Sequence, residues 1–325
     1  MSDQQPETPV EPTGGVLGAL RNRVSANVGR VVVGQQRPLD LILVALSVGG
    51  HVLLEGVPGT AKTLLARSVA ASLGIDFRRA QFTPDMLPSD LTGTMTLRDG
   101  DLVFRPGPVF TNILLADEIN RTPPKTQSAL LEAMGEGQVT IEGTGRRLAD
   151  PFLVIATQNP IEYEGTYPLP EAQLDRFLVK VDVGYPEADQ ELAMLTQARS
   201  GLHSVELDRL IPVAGPADIA AARAEVDATI VSESIVSYVG SIIRSTRTLP
   251  SVEVGASPRA GVHLLTAAKA TARLFGRDFV TPDDVAWVVS SVVAHRLVLT
   301  PEAELDRYRP ADAVTTALQT VPVPR

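Results

Sequence analysis

The segment from Gly56 to Thr63, GVPGTAKT, has the residue types and spacing of a loop that holds phosphate groups. It follows the apolar run His51–Leu54 and precedes an amphipathic stretch, which is the strand–loop–helix order of phosphate-binding loops. Glycines let backbone N–H groups close around phosphate oxygens, and the helix N-terminus adds partial positive charge. We expect Lys62 to reach the β- and γ-phosphates of a nucleotide and Thr63 to hold Mg²⁺ through its hydroxyl. An ordinary Gly/Pro turn between a strand and a helix is the alternative interpretation.

One position departs from the general pattern of such loops. Ala61 stands where a glycine usually precedes the lysine. Alanine is readily accommodated in a right-handed helical backbone, and we expect that conformation at this position. The departure would then have little consequence for the loop.

Two adjacent carboxylates, Asp117 and Glu118, follow the apolar run that begins at Asn112. In open α/β sheets, ligand-binding residues cluster at the carboxyl ends of strands. We expect Asp117 to support Mg²⁺, directly or through water, and Glu118 to orient and polarise an attacking water. A strand that simply exits into a solvated acidic turn is the alternative, but the upstream loop favours the functional interpretation.

Three further polar residues could complete a phosphoryl-transfer site. Asn159 ends the apolar run that begins at Phe152 and could hydrogen-bond the γ-phosphate or the attacking water, unless it only forms an Asn-Pro turn. Arg176 leads into the last strand candidate, and Arg259 lies in the first turn of a helix in the second half of the chain. Arginine supplies bidentate donors for phosphate, although either arginine taken alone also fits a surface salt bridge.

The elements that must position these residues divide the chain in two. Five short runs, which we interpret as β-branched or leucine-rich, predict buried strands at His51–Glu55, Phe77–Phe82, Asn112–Asp117, Phe152–Thr157 and Phe177–Val183. Helical segments lie between most of them, which predicts an α/β domain with a mainly parallel sheet. From Glu187 onward the pattern is almost entirely helical, and Ser257 and Thr281 are predicted helix N-caps. We therefore expect a disordered tail over residues 1–14, an α/β domain over 15–185 and an all-α domain over 186–325.

Composition limits the classes of function open to these 325 residues. The net charge of −9 gives no overall basic surface for nucleic acid. The sequence has no cysteine, which excludes disulfides, thiol catalysis and cysteine-ligated metal. The four histidines show no metal-ligand spacing. No apolar run approaches the roughly 20 residues that span a bilayer, and the acidic, proline-rich N-terminus does not resemble a signal peptide, so we expect a cytoplasmic protein.

Taken together, these motifs resemble the MoxR family of AAA+ ATPases, in the branch that includes the magnesium-chelatase ATPase subunit and the MCM helicases. The matching stretches are residues 53–63, 114–134, 154–177 and 256–261. The resemblance extends from about Val32 to His295, and the family also carries alanine at position 61. It implies a P-loop NTPase core with a parallel five-stranded sheet, followed by an all-α lid.

The resemblance also implies a role for each candidate residue. Asp117 and Glu118 look like Walker B, Asn159 like sensor 1, Arg259 like the sensor 2 arginine of the lid, and Arg176 like an arginine finger acting on the next subunit's nucleotide. The contacts to ATP that the resemblance implies come from the adenine-side turn and the Walker A loop: Val33, Gly34, Gly56, Val57, Pro58, Gly59, Thr60, Ala61, Lys62, Thr63 and Leu64.

Two segments look like inserts of this branch. Residues 82–105 match the helix-2 insert region, and residues 138–148 look like a β-hairpin with Gly143–Gly145 at its tip. In relatives such inserts face the ring pore or the partner, whereas two plain surface loops are the alternative.

The function implied by the resemblance is ATP hydrolysis in a homo-oligomeric ring, with a hexamer suggested by the family. The energy would drive chaperone-like remodelling or maturation of protein clients, together with a von Willebrand A domain protein. A nucleic-acid motor and the ATPase subunit of a metal-insertion complex are the alternatives. Arg146 and Arg147 in the hairpin stand without a wider basic cluster, so nucleic acid is not the expected partner.

Overall fold

A computed structural model describes residues 14–57, 59–159, 167–198 and 210–324 of the chain. Contacts divide it into two compact units. The α/β unit comprises Arg23–Phe177 and Val181–Ala217, and the helical unit comprises Met1–Asn22, Leu178–Lys180 and Asp218–Arg325, as far as these are described.

A five-stranded sheet forms the centre of the fold, as the apolar runs predict. Its strands are β1 (Val52–Glu55), β2 (Phe77–Gln81), β5 (Ile113–Asp117), β8 (Leu153–Gln158) and β9 (Val179–Asp182), in the spatial order β2-β5-β8-β1-β9. The registered pairs β2–β5, β5–β8 and β8–β1 are parallel. β5 is buried along its whole length and apolar up to Asp117, as is typical of a central strand in a sheet with both faces covered by helices. The predicted parallel α/β core is confirmed.

Helices and two hairpins connect these strands. The described α-helices before residue 199 are α1 (Val16–Val28), α2 (Gln36–Ser47), α3 (Lys62–Leu73), α4 (Pro88–Thr92), α5 (Pro124–Glu136), α6 (Glu171–Leu174) and α7 (Ala188–Ala198). The first hairpin pairs β3 (Gly93–Arg98) with β4 (Asp101–Pro106), within the predicted insert region. The second pairs β6 (Gln138–Ile141) with β7 (Thr144–Arg147).

The tip of the second hairpin differs from the prediction. Its two turn residues are Glu142 and Gly143, both with positive φ, of 48° and 78°. Two-residue turns of this kind match the right-handed twist of the strands that they join. Gly145 is therefore not part of the tip, since it already pairs with Thr140 in the ladder.

From residue 210 onward the described chain contains six α-helices and a short two-stranded sheet. These are α8 (Pro216–Asp227), α9 (Glu233–Thr246), α10 (Pro258–Leu274), α11 (Pro282–Val293), α12 (Pro301–Leu305) and α13 (Pro310–Thr320), with β10 (Val252–Val254) and β11 (Val298–Leu299). The Ser257 hydroxyl caps α10 by accepting from the Ala260 N–H, and Thr281 forms a capping box on α11 with Asp284. Both predicted N-caps are confirmed. Within the described residues, no helix is long and apolar enough to cross a membrane.

Candidate functional site

A cleft of about 350 Å³ lies at the carboxyl ends of β1, β5 and β8, three adjacent strands of the α/β unit. Nine of the predicted site residues line it together: Gly59, Thr60, Ala61, Lys62, Thr63, Leu64, Asp117, Glu118 and Asn159. The other two described lining residues, Thr157 and Gln158, were not predicted. Because carboxyl ends of parallel strands meet at one edge, residues distant in sequence converge here.

The loop between β1 and α3 begins at Gly56, where the backbone of Val183 lies too close for any side chain. A Cβ on Gly56 would lie 2.3 Å from the carbonyl oxygen of Val183, which no real side chain could tolerate. Gly59 has φ of 87°, in the left-handed region that favours glycine. The Lys62 ammonium donates hydrogen bonds to the carbonyl oxygens of Gly56 and Val57, so its side chain arches over the loop. Pro58 lies outside the described residues.

Ala61 corrects one prediction about this loop. Its backbone is left-handed, with φ of 60° and ψ of 19°, rather than right-handed as expected. The chain turns sharply there to begin α3, and the N–H of Leu65 donates to the Ala61 carbonyl as the first helical bond. This geometry explains why glycine is usual at the position, because a Cβ in left-handed backbone costs roughly 1–2 kcal/mol.

The electrostatics of the cleft combine desolvation with opposite charges. The pKa of Lys62 is lowered from the usual lysine value, first because burial disfavours its charged form, while the carboxylates of Asp117 and Glu118 act in the opposite direction. Charges interact more strongly in such a partly desolvated cleft than in bulk water.

Asp117 is held on both oxygens. The Thr157 hydroxyl donates to Oδ1 at 2.6 Å, and Arg79 donates to Oδ2 from Nε and Nη2, at 2.9 and 2.6 Å. Sequence reasoning did not single out Arg79 or Thr157. The available signal was the alternation along β2, which directs residues 77, 79 and 81 to one face of the sheet.

Glu118 is also fixed, in an unusual backbone conformation. Its φ of 58° and ψ of 50° are left-handed, and its N–H donates to the Thr157 hydroxyl at 2.9 Å. Its carboxylate accepts a hydrogen bond from the Gln81 side-chain amide and pairs with Arg121 at 3.1 Å. Thr157 therefore connects the two acidic residues, because its hydroxyl accepts from the backbone N–H of Glu118 and donates to the carboxylate of Asp117.

The other predicted residues differ in whether they line the cleft. Asn159 is 7% exposed and lines the cleft at the end of β8. The turn at Val33 and Gly34 packs near α7, since a Cβ on Gly34 would lie 2.3 Å from the Gln190 side-chain oxygen. Neither turn residue is among the described residues that line the cleft.

The two arginines are likewise outside the described lining of the cleft. Arg176 is exposed, and its guanidinium donates to the carbonyl oxygen of Leu131 on α5 at 2.8 Å. Arg259 is exposed in the first turn of α10, in the helical unit. The α/β unit by itself thus assembles the loop, the carboxylates and Asn159, without either arginine in its described lining.

The chemistry of the donors fits a magnesium–nucleotide complex. Hydroxyl and carboxylate oxygens, supplied here by Thr63 and Asp117, are the ligands that Mg²⁺ prefers. Within the described ranges, no group of three or more His, Asp or Glu side chains could hold a metal ion by itself. A Mg²⁺ ion bound here would therefore need further ligands from phosphate oxygens or water, which is its usual mode in ATPase sites.

Comparison with known proteins gives one consistent result. A family model described as the ATPase family associated with various cellular activities (AAA) matches residues 51–179, and an AAA lid domain model matches residues 244–317. Chaperone MoxR1 of Mycobacterium tuberculosis is 43% identical over 97% of this chain and 86% of its own length. The Bacillus subtilis protein YeaC is 47% identical over 95% of this chain and 96% of its own. A crystal structure from Cytophaga hutchinsonii, of a protein assigned as an ATPase, superposes with a TM-score of 0.87 at 40% identity, covering 95% and 97% of the two chains.

Proposed function

Because this chain belongs to the MoxR family of AAA+ ATPases, we propose that it hydrolyses ATP in an oligomeric ring and so remodels or matures protein partners. The observation that carries the proposal is the convergence of the glycine-rich loop, Lys62, both carboxylates and Asn159 on one cleft. A solvated acidic turn would not require a buried threonine that contacts the carboxylate of Asp117 and the backbone N–H of Glu118.

The loop and Lys62 bind the phosphates in this proposal. Loop N–H groups and the start of α3 contact the phosphate oxygens, and Lys62 exchanges the Gly56 and Val57 carbonyls for the β- and γ-phosphates. Thr63 and Asp117 hold Mg²⁺, which when bound neutralises charge that develops on the phosphate oxygens. Leu64 and the turn at Val33 and Gly34 contact the rest of the nucleotide.

Glu118 positions the attacking water and accepts its proton. Its left-handed backbone and the bond from its N–H to Thr157 direct the carboxylate into the cleft, where Gln81 and Arg121 restrict its rotamers. Asn159 orients the same water or the γ-phosphate from the end of β8. Such general-base and orienting groups contribute typically about 10²–10⁴-fold in rate.

The two arginines complete the site from elsewhere. We assign Arg176 as the finger that enters the neighbouring subunit's site, and Arg259 as the lid residue that senses the γ-phosphate. Exposure of both side chains, and the absence of Arg176 from the described lining of its own cleft, support this assignment. A finger contributes about 10³–10⁵ in rate in phosphoryl-transfer enzymes, so ring assembly would control hydrolysis. A hexamer is the ring size that the family suggests.

Protein clients and a von Willebrand A domain protein are the partners of this proposal. Leu97 and Leu102, cross-strand neighbours in the β3–β4 hairpin, are 74% and 65% exposed and offer an apolar contact. Of the two arginines in the β6–β7 hairpin, Arg146 has its guanidinium 4.0 Å from the centre of the Phe104 ring, so it is engaged within the chain. The proposal places the activity in the cytoplasm, in line with a sequence that has no cysteine.

A pair of matched variants tests the catalytic part. Glu118→Gln should bind ATP and release no phosphate above background, whereas Glu132→Gln, the same change at an exposed position of α5, should behave as the native chain. Nucleotide binding is measured by fluorescence and turnover by phosphate release. Hydrolysis by Glu118→Gln at near the native rate would remove this residue from its role.

Affinity capture tests the partner. Glu118→Gln with ATP should retain clients that Lys62→Ala, which cannot bind ATP, does not retain. Enrichment of a von Willebrand A protein and other proteins supports the remodelling function. DNA-stimulated ATPase activity would instead indicate a nucleic-acid motor, and capture of chelatase-like subunits would indicate a metal-insertion complex.

A further inference from the structure

Arg79 makes the one strong ionic contact of Asp117 in the described structure. It lies on β2, the edge strand of the sheet, and reaches across to the end of β5. Two of its N–H groups, on Nε and Nη2, donate to the same oxygen, Oδ2, at 2.9 and 2.6 Å. The Arg79 side chain is 49% exposed, whereas that of Asp117 is 11% exposed. A solvent-accessible cation thus neutralises a largely buried carboxylate.

Counting lone pairs shows what this contact leaves for a metal ion. Each carboxylate oxygen offers about two acceptor sites. Arg79 uses both sites on Oδ2, and the Thr157 hydroxyl uses one of the two on Oδ1. One site remains, next to a fixed positive charge. A divalent cation that approaches Asp117 therefore meets an occupied oxygen and electrostatic repulsion together.

We propose that Arg79 is an internal competitor of Mg²⁺ for Asp117, which sets the magnesium concentration at which the site fills. This rests on the proposed function, because it requires a magnesium–nucleotide complex in the cleft. Binding of Mg²⁺ displaces the guanidinium from Oδ2. The displaced group keeps the hydrogen bond that its Nη2 already donates to the Gln81 side-chain oxygen at 2.6 Å. Its half-exposed position lets water solvate the charge, which keeps the exchange reversible.

Three variants separate charge, geometry and general effects on β2. Arg79→Gln removes the charge and the bidentate contact, and Arg79→Lys keeps the charge alone. Arg78→Gln is the matched control, because residue 78 points to the opposite face of β2, where its guanidinium donates to the Gly107 carbonyl oxygen at 3.4 Å. Residues 78 and 79 are both exposed, so the two glutamine variants change the net charge equally.

The test measures binding rather than turnover. Mn²⁺ replaces Mg²⁺, and ADP is present with enough protein to bind all of it. Electron paramagnetic resonance then measures the concentration of free Mn²⁺. Arg79→Gln should lower the Mn²⁺ concentration at half-saturation about tenfold, because a unit charge a few ångströms from a divalent ion is lost. For Arg79→Lys, which keeps the charge, the Mn²⁺ concentration at half-saturation should stay within about threefold of that of the native chain, and for Arg78→Gln it should be the same as in the native chain.

The outcomes distinguish this inference from the proposed function. Unchanged or weaker Mn²⁺ binding by Arg79→Gln, with native ADP binding, would overturn the competition and make Arg79 a support for Asp117. An equal shift in Arg78→Gln would also overturn it, since the effect would then be one of net charge. A native chain that binds no ADP at all would refute the nucleotide site itself. Thermal melting of all variants shows whether each is folded.

Discussion

Protonation of His51 should control the stability of the α/β unit below neutral pH. This imidazole is buried immediately before β1, where Nδ1 accepts from the Val154 N–H at 3.0 Å and Nε2 lies 3.2 Å from the Met134 carbonyl oxygen. Burial is the largest cause that lowers its pKa, from 6.5 to about 4, and it outweighs the hydrogen bond to Met134, which raises it. A neutral ring matches both contacts, whereas a protonated ring would turn Nδ1 into a second donor facing the Val154 N–H.

The sign of the pH effect follows from which state binds the proton. Between pH 6.5 and 4 the unfolded chain binds a proton that the folded chain excludes, so stability falls as the pH falls through this range. Above 6.5 neither state binds it, and below 4 both do, so the contribution is constant outside the window. The full effect is about 3 kcal/mol, of which about 2 kcal/mol is lost between pH 7 and pH 5.

Urea unfolding at a series of pH values measures this effect. His51→Gln should be less stable at pH 7, by about 1–3 kcal/mol, because a buried backbone group loses its partner. The stability of His51→Gln should also change less with pH between 6.5 and 4.5 than that of the native chain. Titration of the His51 ring signal by NMR in the folded native chain gives its pKa without any variant. A folded-state pKa near 6.5, or identical pH profiles for the two chains, would refute the reasoning.

Three other perturbations address the loop, the hairpin and the assembly. Ala61→Gly should raise the free energy of unfolding by about 1 kcal/mol or less, because relief of the left-handed strain outweighs the flexibility of glycine; an urea titration that shows a loss would contradict this. Shortening the β6–β7 hairpin at its tip should leave the melting temperature nearly unchanged and impair only partner-dependent activity, whereas a large drop in melting temperature would place the tip in the core or a subunit interface. Arg176→Ala should bind ATP with little turnover, and mixing it with Lys62→Ala should restore part of the phosphate release. Mixed rings verified by tagged co-purification, yet without activity, would argue against a finger acting between subunits.

The main elements could be predicted because their signals are local. Most of the strands are short apolar runs, and the caps at Ser257 and Thr281 depend on residues within one helical turn. β2 was also predicted as a buried strand, but only Ala80 within it is buried, because β2 lies at the edge of the sheet. The loop from Gly56 to Thr63 and the carboxylates after β5 were found for the same reason, since each is a short motif at the end of a strand. The stretch at residues 160–166 that also carries the family resemblance lies outside the described residues, as does His203.

Tertiary contacts decide the features that the sequence did not reveal. Ala61 is left-handed because the loop must turn into α3, which no propensity of alanine predicts. Arg79 and Asp117 are 38 residues apart in the chain, and they are in contact because β2 lies beside β5 in the sheet. The order of strands in a sheet is set by the whole fold. From sequence alone, an arginine on an edge strand therefore cannot be distinguished from an ordinary surface charge.

The two non-glycine residues of the cleft with left-handed backbone carry the same kind of strain for different reasons. Both Ala61 and Glu118 have φ near 60°, and each conformation costs roughly 1–2 kcal/mol for a residue with a Cβ. At position 61 glycine could adopt the same backbone without that cost, and the alanine side chain makes no polar contact. At position 118 the proposed chemistry needs a carboxylate, so the strain cannot be relieved by glycine without loss of the water-activating group.

Thr157 offsets part of the strain at Glu118 through its bond to the Glu118 N–H, which also links the backbone of Glu118 to the carboxylate of Asp117. Thr157→Val, which keeps the shape and removes the hydroxyl, should therefore reduce phosphate release more than ATP binding, because it frees the Asp117 carboxylate and the Glu118 backbone and leaves the loop intact. Equal losses in binding and turnover would show that Thr157 supports the cleft as a whole rather than its acidic pair.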